Sequence, residues 1–135
     1  MRRLFYVLFI AVLALTSCKN DTEQKHGTEQ KISLVKPTVF YEKMAEHEGK
    51  IIDVRTEKEY NAGHIKNAIN MHLYDKDFEK QLETLDKDQR VYVYCKAGGR
   101  SAEAVNIMKE KGFKRVIELD GGIDAWLEAK KPVVK

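Results

Sequence analysis

From Ile32 to Pro132 the chain alternates between short apolar runs and stretches whose apolar residues fall at helical spacing. Ile32-Ser33-Leu34-Val35, the run from Lys50 to Arg55, Ala68-Ile69-Asn70-Met71, Val91 to Tyr94 and Arg115 to Leu119 are rich in β-branched and aromatic residues. That composition predicts five packed strands. Between them, Pro37-Thr38 opens a helical pattern carried by Val39, Phe40, Met44 and Ala45 and expected to close at Gly49. Thr56, followed three residues later by Glu59, is a capping-box signature, which predicts a short helix over Glu57 to Asn61. Phe78, Leu82 and Leu85 are spaced for a helix from Asp75 to Leu85. Ala104, Val105 and Met108 mark another helix, stopped by Gly112. A last one contains Ala125, Trp126 and Leu127 and ends at Pro132. Strands that alternate with helices, without two-residue hairpin turns, predict an α/β fold: a parallel sheet joined by crossover helices, with helices on both faces. In such sheets ligands meet the carboxyl ends of the strands. Cys95, the Asp53–Arg55 segment and the Asp120–Gly122 turn all fall at those ends and share one edge.

The N-terminus follows a different pattern. Met1-Arg2-Arg3 is basic, Leu4 to Leu15 is apolar, and Thr16-Ser17-Cys18 is small and ends on a cysteine. This is the layout of a secretory leader, too short to span a bilayer as a helix. Leu15-Thr16-Ser17-Cys18 also resembles a bacterial lipobox, which implies cleavage before Cys18, diacylation of its thiol and a membrane anchor of two acyl chains. The expected organisation is a leader over 1–17, a lipidated cysteine and polar tether over 18–31, and one domain over 32–135. The place of action is then the bacterial cell envelope, facing the periplasm or the cell surface.

Composition narrows the partners. The 135 residues carry 24 basic and 21 acidic side chains. Losing Arg2 and Arg3 with the leader leaves 22 basic against 21 acidic. Such a balance gives no reason to expect nucleic acid or a polybasic membrane contact. With Cys18 lipidated, Cys95 is the sole thiol of the mature protein, with no partner for an internal disulfide. Four scattered histidines have no metal-ligand spacing, and neither metal nor cofactor is expected. A monomer is expected.

The chemistry gathers at Cys95. The strand Val91 to Tyr94 ends on this residue, turns through Gly98 and Gly99, and opens a helix near Ser101. Glycines let several amides point at one spot, and helix N-termini are positive. The thiol also has Lys96 and Arg100 beside it, and all of these favour thiolate. Four residues separate Cys95 from Arg100, so the arginine fork can face the mouth of the loop and bind two oxygens of an anion.

These residues give the chain its resemblance. Ile51-Ile52-Asp53-Val54-Arg55, Glu59-Tyr60, Gly63-His64-Ile65 with Ala68 and Asn70, Cys95-Lys96-Ala97-Gly98-Gly99-Arg100-Ser101, and Leu119-Asp120-Gly121-Gly122 with Ala125-Trp126 follow one another in the order seen in single-domain rhodaneses. The resemblance runs from about Ser33 to Pro132. It implies a doubly wound, five-stranded parallel sheet and thiosulfate sulfurtransferase-type catalysis. Cys95 would take a sulfane sulfur as a persulfide and pass it to a thiol or another nucleophile. Lys96, Ala97, Gly98, Gly99, Arg100 and Ser101 would cradle the substrate, with Arg100 as oxyanion clamp. The partners implied are a small anionic sulfur donor and a thiol acceptor.

Three other readings compete with this one. Phosphatases and arsenate reductases of this fold use a loop one residue longer. A non-catalytic binding module usually lacks the cysteine that this chain keeps. A persulfide or sulfenic acid relay would differ mainly in its physiological partner. Asp53 and Arg55 are read as structural hydrogen-bonding residues, with contact to substrate as the alternative. His64 and Trp126 are expected to stabilise the fold, and Lys96 either steers anions or simply faces solvent.

Overall fold

The computed structural model of the protein describes residues 29–135. The expected leader, Cys18 and the first part of the tether lie outside the described residues. Five strands and five helices alternate: β1 (Lys31–Val35), α1 (Pro37–Glu46), β2 (Lys50–Asp53), α2 (Glu57–Ala62), β3 (Ala68–Asn70), α3 (Phe78–Leu82), β4 (Arg90–Tyr94), α4 (Gly99–Glu110), β5 (Arg115–Leu119) and α5 (Gly122–Glu128). All strand pairs are parallel, in the order β1-β5-β4-β2-β3.

This order places the site. The chain winds outward from β2 to β3, then reverses through β4 to β5. Crossovers of one hand laid in opposite directions put their helices on opposite faces. The residues of β4 sort accordingly. Val91, Val93 and Cys95 pack with Phe78 and Leu82 of α3 and with Ala104, Val105 and Met108 of α4. Tyr92 and Tyr94 point the other way, to Phe40 of α1 and to Ile123 and Trp126 of α5. The expected doubly wound parallel sheet with helices on both faces is the fold observed. Adjacent strands β4 and β2 send their carboxyl-end connections to opposite faces, toward α4 and α2. A crevice opens at such a switch point.

Several boundaries move from their expected positions. Lys31 already belongs to β1, and the Gln30 amide donates to the carbonyls of Lys109 (2.9 Å) and Phe113 (3.0 Å). The domain therefore begins inside the segment assigned to the tether. Helix α1 stops at Glu46, before Gly49, because the Tyr92 hydroxyl reaches the carbonyls of Lys43 (2.6 Å) and His47 (2.8 Å). Gly49 is small for another reason: a Cβ there would sit 2.5 Å from the Arg90 carbonyl oxygen. Helix α3 is shorter than its apolar spacing suggests. Tight turns replace its ends, with Phe78 N–H donating to Asp75 O and Leu85 N–H to Leu82 O. Strand β2 ends at Asp53, where the side chains of Asp53 and Arg55 turn to each other. No helix among the described residues is long and apolar enough to cross a membrane.

Candidate active site

Strand β4 delivers Cys95 to the crevice, where it is buried and is the one free cysteine among the described residues. The chain then turns through Gly98, whose φ of 116° lies in the left-handed region where side chains are strained. That turn aims the Gly98 N–H at the sulfur, 3.0 Å away, and lets α4 start at Gly99. Burial pushes the Cys95 thiol up. The contact with the Ser101 hydroxyl and the amides of Ser101, Gly98 and Ala97 outweigh this, and the net shift is toward thiolate.

The loop is braced from below by α5. Ile123 N–H donates to the Cys95 carbonyl (2.9 Å) and Asp124 N–H to the Lys96 carbonyl (3.0 Å). Close approach of the two segments depends on Gly122, which has φ 61° and whose absent Cβ would overlap the Lys96 carbonyl. The Asp120–Gly122 turn, expected at the site edge, thus holds the cysteine loop in place.

The expected site residues divide into three groups. Cys95, Ala97, Gly98 and Gly99 form the loop as anticipated, with Ala97 and Gly99 exposed at its rim. Lys96 and Arg100 are at the mouth, but each has an acidic partner. Lys96 Nζ lies 2.6 Å from Asp124 Oδ2, both side chains about half exposed. Arg100 donates from Nη1 and Nη2 to the two oxygens of Glu59, at 2.8 Å each. The end of the expected clamp is therefore engaged by α2, leaving its Nε edge unpaired among the described residues. Glu59 also accepts from the Thr56 backbone and hydroxyl in the capping box. The Arg100 guanidinium beside it holds the Glu59 carboxyl well below the usual carboxylate range. Ser101 differs most from expectation. Its side chain is fully buried, facing Cys95 Sγ (3.5 Å) and Glu118 Oε1 (2.7 Å) rather than an open substrate cradle.

Asp53 and Arg55 form a buried pair. Arg55 Nη2 donates to Asp53 Oδ2 (2.7 Å) and to the Gly63 carbonyl (2.8 Å), and Arg55 Nε donates to Asp53 Oδ1 (3.0 Å). The guanidinium also lies 5.6 Å from the Tyr94 ring centroid. These contacts tie the β2 end to the turn after α2, and Arg55 also lines the cleft beside the cysteine loop. His64 stacks on Tyr60 at 3.7 Å and contacts its carbonyl through Nδ1 (3.0 Å), and Trp126 donates Nε1–H to the Pro132 carbonyl (2.9 Å). Both have the structural role expected of them.

Two acidic groups were missed as site residues. Glu59 was legible as a helix cap but not as the arginine's partner. Glu118 carries a signal that could have been read: it is the one acidic residue in the apolar strand Val116-Ile117-Glu118-Leu119. Beside the loop, a cleft of about 250 Å³ is lined by Arg55, Glu59, Lys96 and Asp124 together with the apolar Ile123 and Leu127. It has room for a small anion or the end of a thiol.

A parallel switch-point fold whose central strand ends on an amide-ringed cysteine defines a class that comparison with known proteins bears out. The family model for the Rhodanese-like domain matches residues 36–129, and the chain belongs to that family. It is 38% identical over 88 residues to the putative sulfurtransferase YtwF of Bacillus subtilis, covering 65% of this chain and 82% of that protein. Among solved structures, a rhodanese-related protein from Thermoplasma volcanium superposes with a TM-score of 0.67 at 29% identity, covering 76% of this chain and 97% of the other. A tRNA uridine(34) hydroxylase from Onion yellows phytoplasma is 34% identical over 103 residues, covering 73% of this chain. The chain spans only 33% of that hydroxylase's length.

Proposed function

We propose that this protein is a sulfurtransferase that moves a sulfane sulfur from a small anionic donor, such as thiosulfate, to a thiol through a persulfide on Cys95. The observation that carries the reading is the Cys95 sulfur itself, ringed by amides with Gly98 N–H at 3.0 Å and biased toward thiolate. Thiolate is the reactive form, and the donors that favour it also suit the anionic persulfide. The Cys95 thiolate attacks the outer sulfur of the donor. A sulfur–sulfur bond forms, the donor's own bond to that sulfur breaks, and sulfite leaves with the electron pair. The acceptor thiolate then attacks the outer sulfur of the persulfide, releasing a new persulfide and the Cys95 thiolate. No electron is gained or lost overall, so no cofactor is required. Arg100, fixed by Glu59, and Lys96, beside Asp124, keep positive charge at the mouth without opening both side chains fully to the donor.

The sequence also supports placing this activity at the bacterial cell envelope on a lipid anchor at Cys18, with the domain working as a monomer. With Cys18 acylated, the sulfur has to leave to another molecule, because the mature chain holds no second thiol to resolve the persulfide.

The test uses the full chain in a thiosulfate:cyanide assay, with mass spectrometry for one added sulfur atom on the Cys95 peptide. Wild type should turn over and load sulfur, and Cys95→Ser should lose both signals. A folded wild type showing neither would favour a binding module, and Cys95-dependent hydrolysis of an aryl phosphate would favour a phosphatase.

A further inference from the structure

Glu118 sits on β5 among Val116, Ile117 and Leu119, on the same sheet face as Val93 and Cys95. Leu34 of β1 and Val93 of β4 flank it in the sheet. It is 8% exposed, and no cation among the described residues is within ion-pair distance of it. A buried carboxyl without a cation is costly and is kept where its one hydrogen-bonded neighbour compensates. That neighbour is Ser101, at 2.7 Å. Burial pushes the Glu118 carboxyl up, the Ser101 contact opposes this, and Asp120 adds to it.

Ser101 Oγ has one proton and three neighbours able to take it: Glu118 Oε1 (2.7 Å), the Gly98 carbonyl (3.1 Å) and Cys95 Sγ (3.5 Å). A hydroxyl donates to one of them at a time. When Glu118 is ionised, the shortest contact claims the proton, and the hydroxyl can only accept from the thiol. When Glu118 is neutral, its own O–H donates to Ser101 Oγ, and the Ser101 proton is released toward the sulfur.

We propose that Glu118, acting through the Ser101 hydroxyl, is the positioning residue that accepts the Cys95 proton and sets when this cysteine is a thiolate. In the transfer, Ser101 Oγ takes the proton as the Cys95 S–H bond breaks, and the Ser101 O–H proton passes to Glu118 Oε1. A thiol and a carboxylate become a thiolate and a carboxylic acid, with no change in net charge and no electron transferred. The buried sulfur is thereby activated without a base from solvent. The inference rests on Cys95 as the nucleophile and holds for any sulfur donor.

The other groups facing this chain are neutral or paired. Lys96 is tied to Asp124, Arg100 to Glu59, and Asp120 to Lys36 at 2.6 Å. From α4, Ala104 and Val105 are apolar, and Tyr74, beyond the loop, holds its hydroxyl 3.2 Å from Glu103.

The test follows iodoacetamide alkylation of Cys95 against pH in the full chain, read on the Cys95 peptide so that Cys18 does not interfere. This readout needs no sulfur donor, so its failure is distinct from failure of the sulfur-transfer reading. Wild type should rise in two steps, because thiol and carboxyl titrate as a coupled pair. In Glu118→Gln the titrating carboxyl and its negative charge are gone, and a single step should appear about one pH unit below the main wild-type step. Alkylation on the acid side would then be about tenfold faster. An unchanged two-step profile in folded Glu118→Gln, or a single step at higher pH, overturns the proposal. Should that variant misfold, Ser101→Ala tests the same link. It should give one step above the wild-type midpoint, and two surviving steps would overturn the inference.

Discussion

The Asp53–Arg55 pair offers a sharp separation of folding from catalysis. Asp53 is fully buried and its partner's side chain is 6% exposed. Asp53 accepts three hydrogen bonds from the Arg55 side chain and one from the Arg55 amide. Asp53→Ala leaves the guanidinium buried, with only the Gly63 carbonyl as a hydrogen-bond partner. Removing one partner of a buried pair costs about 3–5 kcal/mol, against a total stability of roughly 5–15 kcal/mol for a domain of this kind. With a urea slope of about 1–3 kcal/mol per molar, the unfolding midpoint should fall by about 2 M. Replacing both residues, as in Asp53→Val with Arg55→Met, removes the stranded charge and should recover most of the loss. Below the unfolding range, sulfur transfer by Asp53→Ala should remain within about threefold of wild type, since Asp53 is itself fully buried and lines no part of the cleft. Urea unfolding of the three proteins, followed by circular dichroism, decides the matter. A loss in Asp53→Ala no larger than about 1 kcal/mol, as for an exposed pair, would refute the reasoning. So would a double variant less stable than the single one.

The two other variants probe the loop. Glu59→Gln should weaken the hold of α2 on Arg100. The Glu59 carboxyl is depressed in the fold, so its contribution to stability is present above the ordinary carboxylate range and is lost as pH falls through the folded value. The stability gap between wild type and Glu59→Gln should therefore be full at neutral pH and shrink below about pH 4, as read by thermal melts across pH. Gly122→Ala places a side chain at φ 61° and against the Lys96 carbonyl. It should cost about 2 kcal/mol or more in denaturant midpoints. By shifting the Cys95 carbonyl brace, it should also reduce the persulfide loading rate about a hundredfold. Loading at the wild-type rate would mean that α5 does not position the loop.

Much of the fold and part of the site are written locally. The β-branched and aromatic alternation of Val91 to Tyr94 dictates a strand with two different faces, and the structure places those faces in two different cores. The Thr56–Glu59 box closes as its spacing requires, because both hydrogen bonds lie within one helical turn. The four-residue spacing from Cys95 to Arg100 and the glycines between them likewise determine a tight loop ending in a helix. What local pattern could not decide is which side chains meet across the crossovers. Arg100 finds Glu59 at a separation of 41 residues, Lys96 finds Asp124 at 28 and Ser101 finds Glu118 at 17. Backbone propensity acts over a few neighbouring residues, whereas these contacts exist only once the strand order β1-β5-β4-β2-β3 has stacked the elements. The sequence alone thus determined the elements, the cysteine at the end of β4 and its loop. The tertiary structure decided that its two cations are held by carboxylates and that its serine faces a buried acid. The reason is that side chains far apart in the chain become neighbours only through packing.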